Sequence, residues 1–198
     1  MQRFARIVDS RWFPMAAFML LSFALYGNTL VGEFVYDDAF FYKNENLRAW
    51  SHLPYALLEP ALKSLGNYAP YRPLTFATFA LNFLITGESP VWFHFVNILL
   101  NGFACLLLFQ VVDRLFERRG LTWSVALLFA VFPIHTESIA YIKARDELLV
   151  ACFGFGAWLA FLRATRQRHR SITWAIGAAL LSFGAFCSKE TSLVLPGV

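Results

Sequence analysis

Long apolar stretches alternate with short charged intervals along this chain, and the alternation predicts helices that cross a bilayer. The stretches lie at about 12–31, 91–112, 121–142, 145–162 and 172–187, each near the ~20 residues that a membrane-spanning helix requires. A sixth apolar run starts at Ser192 and reaches Val198, too short to cross, which predicts an N-terminal portion of a longer chain. Pro133 falls inside the third stretch and predicts a kink or stop there, because proline removes a helix N–H.

The interval 32–90 is long, polar and aromatic, with turn formers at Pro54, Pro60, Gly66-Asn67 and Pro70. Loops of that size are often functional. Within it, Leu47, Trp50, Leu53, Leu57, Leu58 and Leu62 have helical spacing, so Asn46 to Leu65 reads as a helix lying in the interface. The piece Pro73 to Ile85 is apolar but only 13 residues long, with Thr75, Thr78 and Asn82 inside it. It predicts a buried, re-entrant or interfacial helix with Pro73 in its first turn.

Composition fits a bilayer as solvent. The chain is 58% hydrophobic and 15% charged, whereas soluble domains lie near about 45–50% and about 25%. Cys105, Cys152 and Cys187 all sit in apolar runs, with neither metal-ligand spacing nor an even disulfide framework, and read as small buried hydrophobes. There is no internal repeat, low-complexity tract or soluble domain.

Charge supplies the expected topology. Arg3, Arg6 and Arg11 precede the first stretch, which is longer than a signal-peptide core and lacks a good cleavage site. It reads as a retained signal anchor with a cytoplasmic N-terminus. Five crossings return Arg114, Arg118, Arg119, Arg163, Arg166, Arg168 and Arg170 to that side. If Pro73 to Ile85 also crossed, Arg114, Arg118 and Arg119 would fall outside. With five crossings the inner pieces hold ten Lys or Arg against three acids, and the outer pieces hold seven against ten. The expected fold is an all-α polytopic membrane protein, a transmembrane helix bundle with a large first outer loop.

The candidate chemistry gathers on one side of this arrangement. Asp37 and Asp38 follow the first stretch directly. Their adjacency points them in different directions, unlike the opposed carboxylates of a soluble glycosidase. One could serve as general base while the other orients it or helps hold a divalent cation, and a solvated loop also carries such acids. His135 and Glu137, two apart after Pro133, could converge from a turn, and a histidine there is equally a helix cap. Lys143, Arg145, Asp146 and Glu147 crowd the start of the fourth stretch. The acids suit a helix N-terminus, and the cations could hold phosphate or simply snorkel to headgroups. Arg72 and the pair Lys189-Glu190 permit the same two readings. All of these lie in the outer loop or at outer ends of apolar stretches, where ionisable groups are functional candidates by default. Acids and cations beside a bilayer suit a substrate with an anionic head on a lipid tail.

Several stretches, in order, resemble the N-terminal part of the multispanning GT-C glycosyltransferases, in particular the transmembrane, tetratricopeptide-repeat-carrying O-mannosyltransferase-like group and its bacterial relatives. They are Val35-Tyr36-Asp37-Asp38, Tyr71-Arg72-Pro73-Leu74-Thr75, Phe93-His94-Phe95-Val96-Asn97-Ile98-Leu99-Leu100-Asn101, Phe132-Pro133-Ile134-His135-Thr136-Glu137 and Ser188-Lys189-Glu190-Thr191. The resemblance implies a GT-C-like bundle and a sugar, such as mannose, carried on polyprenyl or dolichyl phosphate. It implies transfer with inversion to a hydroxyl of a protein or glycan acceptor at the periplasmic or lumenal face. Asp37 would be the catalytic base with Asp38 in support, and Arg72, Lys143, Arg145 and Lys189 would meet the donor phosphate. Asp146 and Glu190 would stand among the substrate-binding residues. His135 and Glu137 would shape the pocket or, with Asp37 and Asp38, hold Mg²⁺ or Mn²⁺. The implied location is a bacterial inner membrane or the endoplasmic reticulum, with membrane lipid as a partner and no nucleic acid. The remaining spans and the repeat domain of that family would lie beyond Val198, so this portion alone is not expected to be active.

A transporter or flippase would instead place ionisable groups near the midplane and break its helices there. A non-catalytic assembly subunit would tolerate neutralising the acidic pair. Glycan polymerases and ligases share the bulk composition, and the acidic pair directly after the first span counts against them.

Overall fold

The computed structural model describes residues 12–52, 54, 71–166 and 170–197. The regular elements among these residues are all helices or 3₁₀ turns, with no strand among them. The helices are α1 (Trp12–Tyr26), α2 (Ala39–Tyr42), α3 (Pro73–Thr86), α4 (Pro90–Phe116), α5 (Arg119–Val131), α6 (His135–Ala140), α7 (Arg145–Arg166) and α8 (Ser171–Ser188), with 3₁₀ turns between several of them. Arg3, Arg6 and Arg11, and the part of the expected interfacial helix Asn46 to Leu65 at 53 and 55–65, lie outside the described residues. Its first residues form short 3₁₀ turns, Glu45–Leu47 and Trp50–His52.

Among the described residues, four segments are long and apolar enough to cross a membrane: Trp12–Val31, Pro90–Phe116, Ile142–Arg166 and Ser171–Ser188. The chain is thus a multi-pass integral membrane protein. The third expected span differs from its neighbours. Its helix α5 runs only 13 residues, about 20 Å at the helical rise. The chain breaks at Phe132-Pro133-Ile134 because Pro133 has no N–H to give the preceding turn, and α6 then resumes. The pair still runs the length of the bundle, since Arg119 bonds Asp113 at 3.3 Å at one end and Tyr141 meets Asp37 at the other.

Helix α4 is the axis. It packs against α1, α5 and α7, and α7 packs in turn against α8. Gly102 lets α1 approach closely, since a Cβ there would lie 2.8 Å from Met19 Sδ and 3.3 Å from the Phe18 carbonyl. Small residues serve this purpose where lipid gives helices little hydrophobic reason to associate. Phe18, Phe109 and Trp123 fill the contact of α1, α4 and α5 with tilted and stacked rings. Helix α3 starts at Pro73, is too short to cross, and is held by a second aromatic cluster of Phe41, Phe76, Phe79, Phe83 and Phe93.

The two ends of the bundle differ chemically. One carries Asp113, Glu117, Arg119 and Arg166, with Arg166 bonded to Glu117 at 3.1 Å. The other collects the acidic pair, Arg72, the charged start of α7 and the Lys189-Glu190 pair that follows α8.

Candidate active site

The chain leaves α1 through a 3₁₀ turn, Gly27–Val31, runs extended, and turns again at Tyr36–Asp38. Asp38 fixes this loop. Its carboxylate is 1% exposed and accepts the Val35 N–H at one oxygen and the Lys143 N–H at the other, both at 2.9 Å. Burial pushes the Asp38 carboxyl above its ordinary range, and the two amides oppose that shift. Asp38 thereby clamps the loop to the turn before α7. Asp37, beside it, points elsewhere. Its N–H donates to Tyr141 Oη at 3.1 Å, and its Oδ2 meets Lys143 Nζ at 2.5 Å. The side chain is 49% exposed, and Oδ1 has no partner among the described residues. One oxygen is anchored and the other is open.

Asp38→Asn tests the clamp. An amide keeps the shape but can accept only one of the two N–H groups. The expected loss is about 1.5–3 kcal/mol for a hydrogen bond to a charged group, read as faster amide exchange at Val35 or Lys143 than in the wild type.

A second network joins α3, α7 and the end of α8. Asp146, whose side chain is 4% exposed, bonds Arg72 Nη1 and lies 3.7 Å from Lys189 Nζ. Outside it, Glu190 takes Arg72 bidentately at 3.0 and 2.6 Å, while Glu147 pairs with Lys189. Arg72 and Lys189 are therefore seated on one buried acid and faced by two more exposed ones. The bond from Arg72 holds the Glu190 carboxyl below its ordinary range. Because the folded value is depressed, the Arg72–Glu190 pair persists above the ordinary carboxylate pKa and is lost as pH falls through the lowered one. Arg72→Lys, a point charge in place of a fork, is expected to return the Glu190 titration, followed by NMR, toward its ordinary value.

Arg145 is placed in the interior, away from the position expected of a phosphate ligand. It is 0% exposed. Nε donates to Asn97 Oδ1 at 2.8 Å, Nη2 to Asn82 Oδ1 and the Phe93 carbonyl at 3.0 Å each, and Nη1 to the Thr78 carbonyl at 3.3 Å. Its guanidinium lies 4.4 Å from the Phe79 ring centre. It joins α3, α4 and α7 directly beneath the ion network, so its effect on the site is to position the elements that carry it. His135 rests its ring on Phe129 at 4.3 Å between centres. Glu137 is exposed. Among the described residues no three His, Cys, Asp or Glu converge as metal ligands. Of the four residues expected to hold a cation, Asp38 gives both oxygens to amides and His135 packs on phenylalanine.

Comparison with known proteins then bears on the family. Over 164 residues the chain is 37% identical to the human protein O-mannosyl-transferase TMTC1, an alignment covering 78% of this chain and 19% of that protein. It is 36% identical over 203 residues to mouse TMTC1, covering 93% and 22%, and 32% identical over 186 residues to Drosophila melanogaster Tmtc1, covering 90% and 21%. The chain is a distant homologue of the TMTC protein O-mannosyl-transferases. It spans about a fifth of the length of these relatives. No family model and no solved structure matches it.

Within this TMTC-like chain, the residues that sequence reasoning missed are Asn82, His94, Asn97 and Tyr141. Asn82, Asn97 and Tyr141 look like incidental polar interruptions of apolar helices, yet the first two receive Arg145 and the third braces Asp37. His94 is buried, and neither ring nitrogen has a partner among the described residues. A signal was present: Asn82, Asn97 and Asn101 interrupt otherwise apolar helices, and a buried asparagine side chain requires partners.

Proposed function

We propose that this chain is the donor-and-base half of a membrane glycosyltransferase, taking mannose or a similar hexose from polyprenyl or dolichyl phosphate to a protein hydroxyl. The observation that carries the reading is Asp37, anchored through one oxygen by Lys143 and open at the other, at the same end of the bundle as a pair of cations seated on a buried acid. Homology to the TMTC proteins, named for mannosyl transfer to protein, supports the same reaction class.

The steps follow from these residues. The acceptor O–H gives its proton to Asp37 Oδ1 as its oxygen attacks the anomeric carbon. The bond from that carbon to the phosphate oxygen breaks, and its electron pair leaves with the lipid phosphate. The phosphate changes from a diester with one charge to a monoester approaching two. Arg72, Lys189 and Lys143 are the cations that would meet the growing charge, which is worth most where water is excluded. Asp146 holds two of them in place, Asp38 holds the loop, and Arg145 holds the helices. Glu190, bidentate on Arg72, occupies the geometry a phosphate would take. No step is routed through Mg²⁺ or Mn²⁺. The site would face the lumen or periplasm, with the arginine-rich end of the bundle in the cytoplasm.

The experiment is a donor comparison with the full-length protein in lipid. Mannose on polyprenyl phosphate is expected to label a threonine peptide, and the nucleotide-linked sugar is not. Labelling from the nucleotide sugar alone, with none from the lipid-linked one, contradicts the reading.

A further inference from the structure

The segment that delivers Asp37 has a second surface. An open cleft of about 540 Å³ is lined by Glu33, Phe34, Tyr36, Tyr42, Glu88 and Pro90, together with Val35. None of Arg72, Lys143 or Lys189 lines it, and its charged lining residues are Glu33 and Glu88. Glu33 is exposed and has no partner among the described residues, and Glu88 pairs with Arg48 at 2.9 Å. Residues 32–35 form neither helix nor strand, Gly32 is extended (φ −73, ψ 159), and the main-chain N–H and C=O groups of Glu33 and Phe34 carry no hydrogen bond among the described residues. Tyr36 has φ +46 and its side chain is 91% exposed. The left-handed region costs a non-glycine residue roughly 1–3 kcal/mol and tends to be retained at functional positions. Tyr36 is also the residue directly before Asp37.

We propose that this cleft receives the acceptor, as an extended polypeptide segment with a basic residue beside its hydroxyl. The inference rests on the transferase reading of Asp37. Three features select the ligand class. Unpaired groups on an extended backbone suit a second extended chain, which can add a ladder of main-chain bonds. Tyr36, Tyr42 and Phe34 offer rings to its side chains. The unpaired Glu33 selects a cation, and the same charge disfavours an anionic lipid headgroup. A chain lying along 33–36 brings its hydroxyl side chain to the next residue, the open oxygen of Asp37. A glycan has no main-chain amides and no charge to match this wall.

The test uses the full-length protein, polyprenyl-phosphate mannose and two synthetic peptides, a threonine flanked by lysines and the same threonine flanked by glutamates. Wild type is expected to favour the lysine peptide. Glu33→Lys is expected to raise KM for that peptide roughly tenfold, the equivalent of ~1.4 kcal/mol, and to reverse the preference between the two. Glu33→Gln, which keeps the shape, is expected to fall between. The change belongs in KM because the lost contact acts on the bound ground state and the transition state alike. Equal KM for both peptides in wild type and Glu33→Lys overturns the proposal, as does a free glycan acceptor preferred to either peptide. Hydrolysis of the donor by wild type without peptide reads the transferase activity separately. If the donor turns over and the charge preference is absent, the cleft is wrong and the reaction stands. If the donor never turns over, both fall.

Discussion

Asp37→Asn in the full-length protein is expected to lower transfer from lipid-linked mannose by about 10²–10⁴-fold, the usual contribution of a positioned general base. The substitution is nearly isosteric. The asparagine carbonyl still accepts from Lys143, and the residue's N–H still reaches Tyr141 Oη, so the loop should keep its place. What is lost is the open carboxylate oxygen that takes the proton. Initial rates at saturating donor give the measurement, with amide exchange at Val35 and Lys143 reporting whether the Asp38 clamp survives. Wild-type turnover by a folded Asp37→Asn protein would remove the base from the mechanism and favour a docking role for the loop. Asp37→Glu is expected to retain part of the rate, because the longer side chain keeps the charge but moves the accepting oxygen by about an ångström, and small misplacements of reacting groups are costly.

The second large effect belongs to a residue that touches no substrate. Arg145→Met is expected to destabilise the bundle by about 3 kcal/mol or more. Methionine fills much of the volume but leaves Asn97 Oδ1 and Asn82 Oδ1 buried without the donor each has now, while the Phe93 carbonyl keeps its helical N–H. Each orphaned acceptor carries a desolvation cost of about 1–3 kcal/mol, partly relieved if the asparagines bond each other. Arg145→Lys should recover little, because one ammonium on a flexible stem cannot reach three acceptors held in a fork. Thermal unfolding in detergent measures both variants. A midpoint within about a degree of wild type for Arg145→Met would mean the network is dispensable. Asn97→Leu together with Arg145→Met should be milder than Arg145→Met alone, since removing both sides of a buried polar pair is cheaper than removing one.

The one-dimensional pattern carried the bundle well and the site only in part. Apolar length fixed four of the helices within a few residues, because a bilayer demands a run of that length whatever the neighbours are. Pro133 marked the break in the third stretch for a local covalent reason. The gathering of Asp37, Arg72, Asp146, Lys189 and Glu190 at one end followed from counting passages between ends. What the pattern could not carry was side-chain direction. Lys143 and Arg145 are two residues apart and look interchangeable as phosphate ligands. In the fold, Lys143 reaches Asp37 while Arg145 turns inward, and that difference depends on Asn82 and Asn97 from two other helices. Asp38 was read as a helper to its neighbour. Its partners are two backbone amides, one of them at Lys143, and no spacing rule announces a bond across that much sequence. His135 and Glu137 lie two apart in the pattern, and in the fold the His135 ring rests beside Phe129.

The anomeric configuration of the product tests the central claim most directly. That claim is a single displacement in which Asp37 draws the proton from the acceptor while the cations take the departing phosphate. Transfer from polyprenyl-phosphate mannose to the threonine peptide, followed by NMR of the first product formed, is predicted to give the configuration opposite to that of the donor. A retained configuration would require two displacements with a sugar bound covalently between them, and it would contradict Asp37 acting as a base on the acceptor hydroxyl.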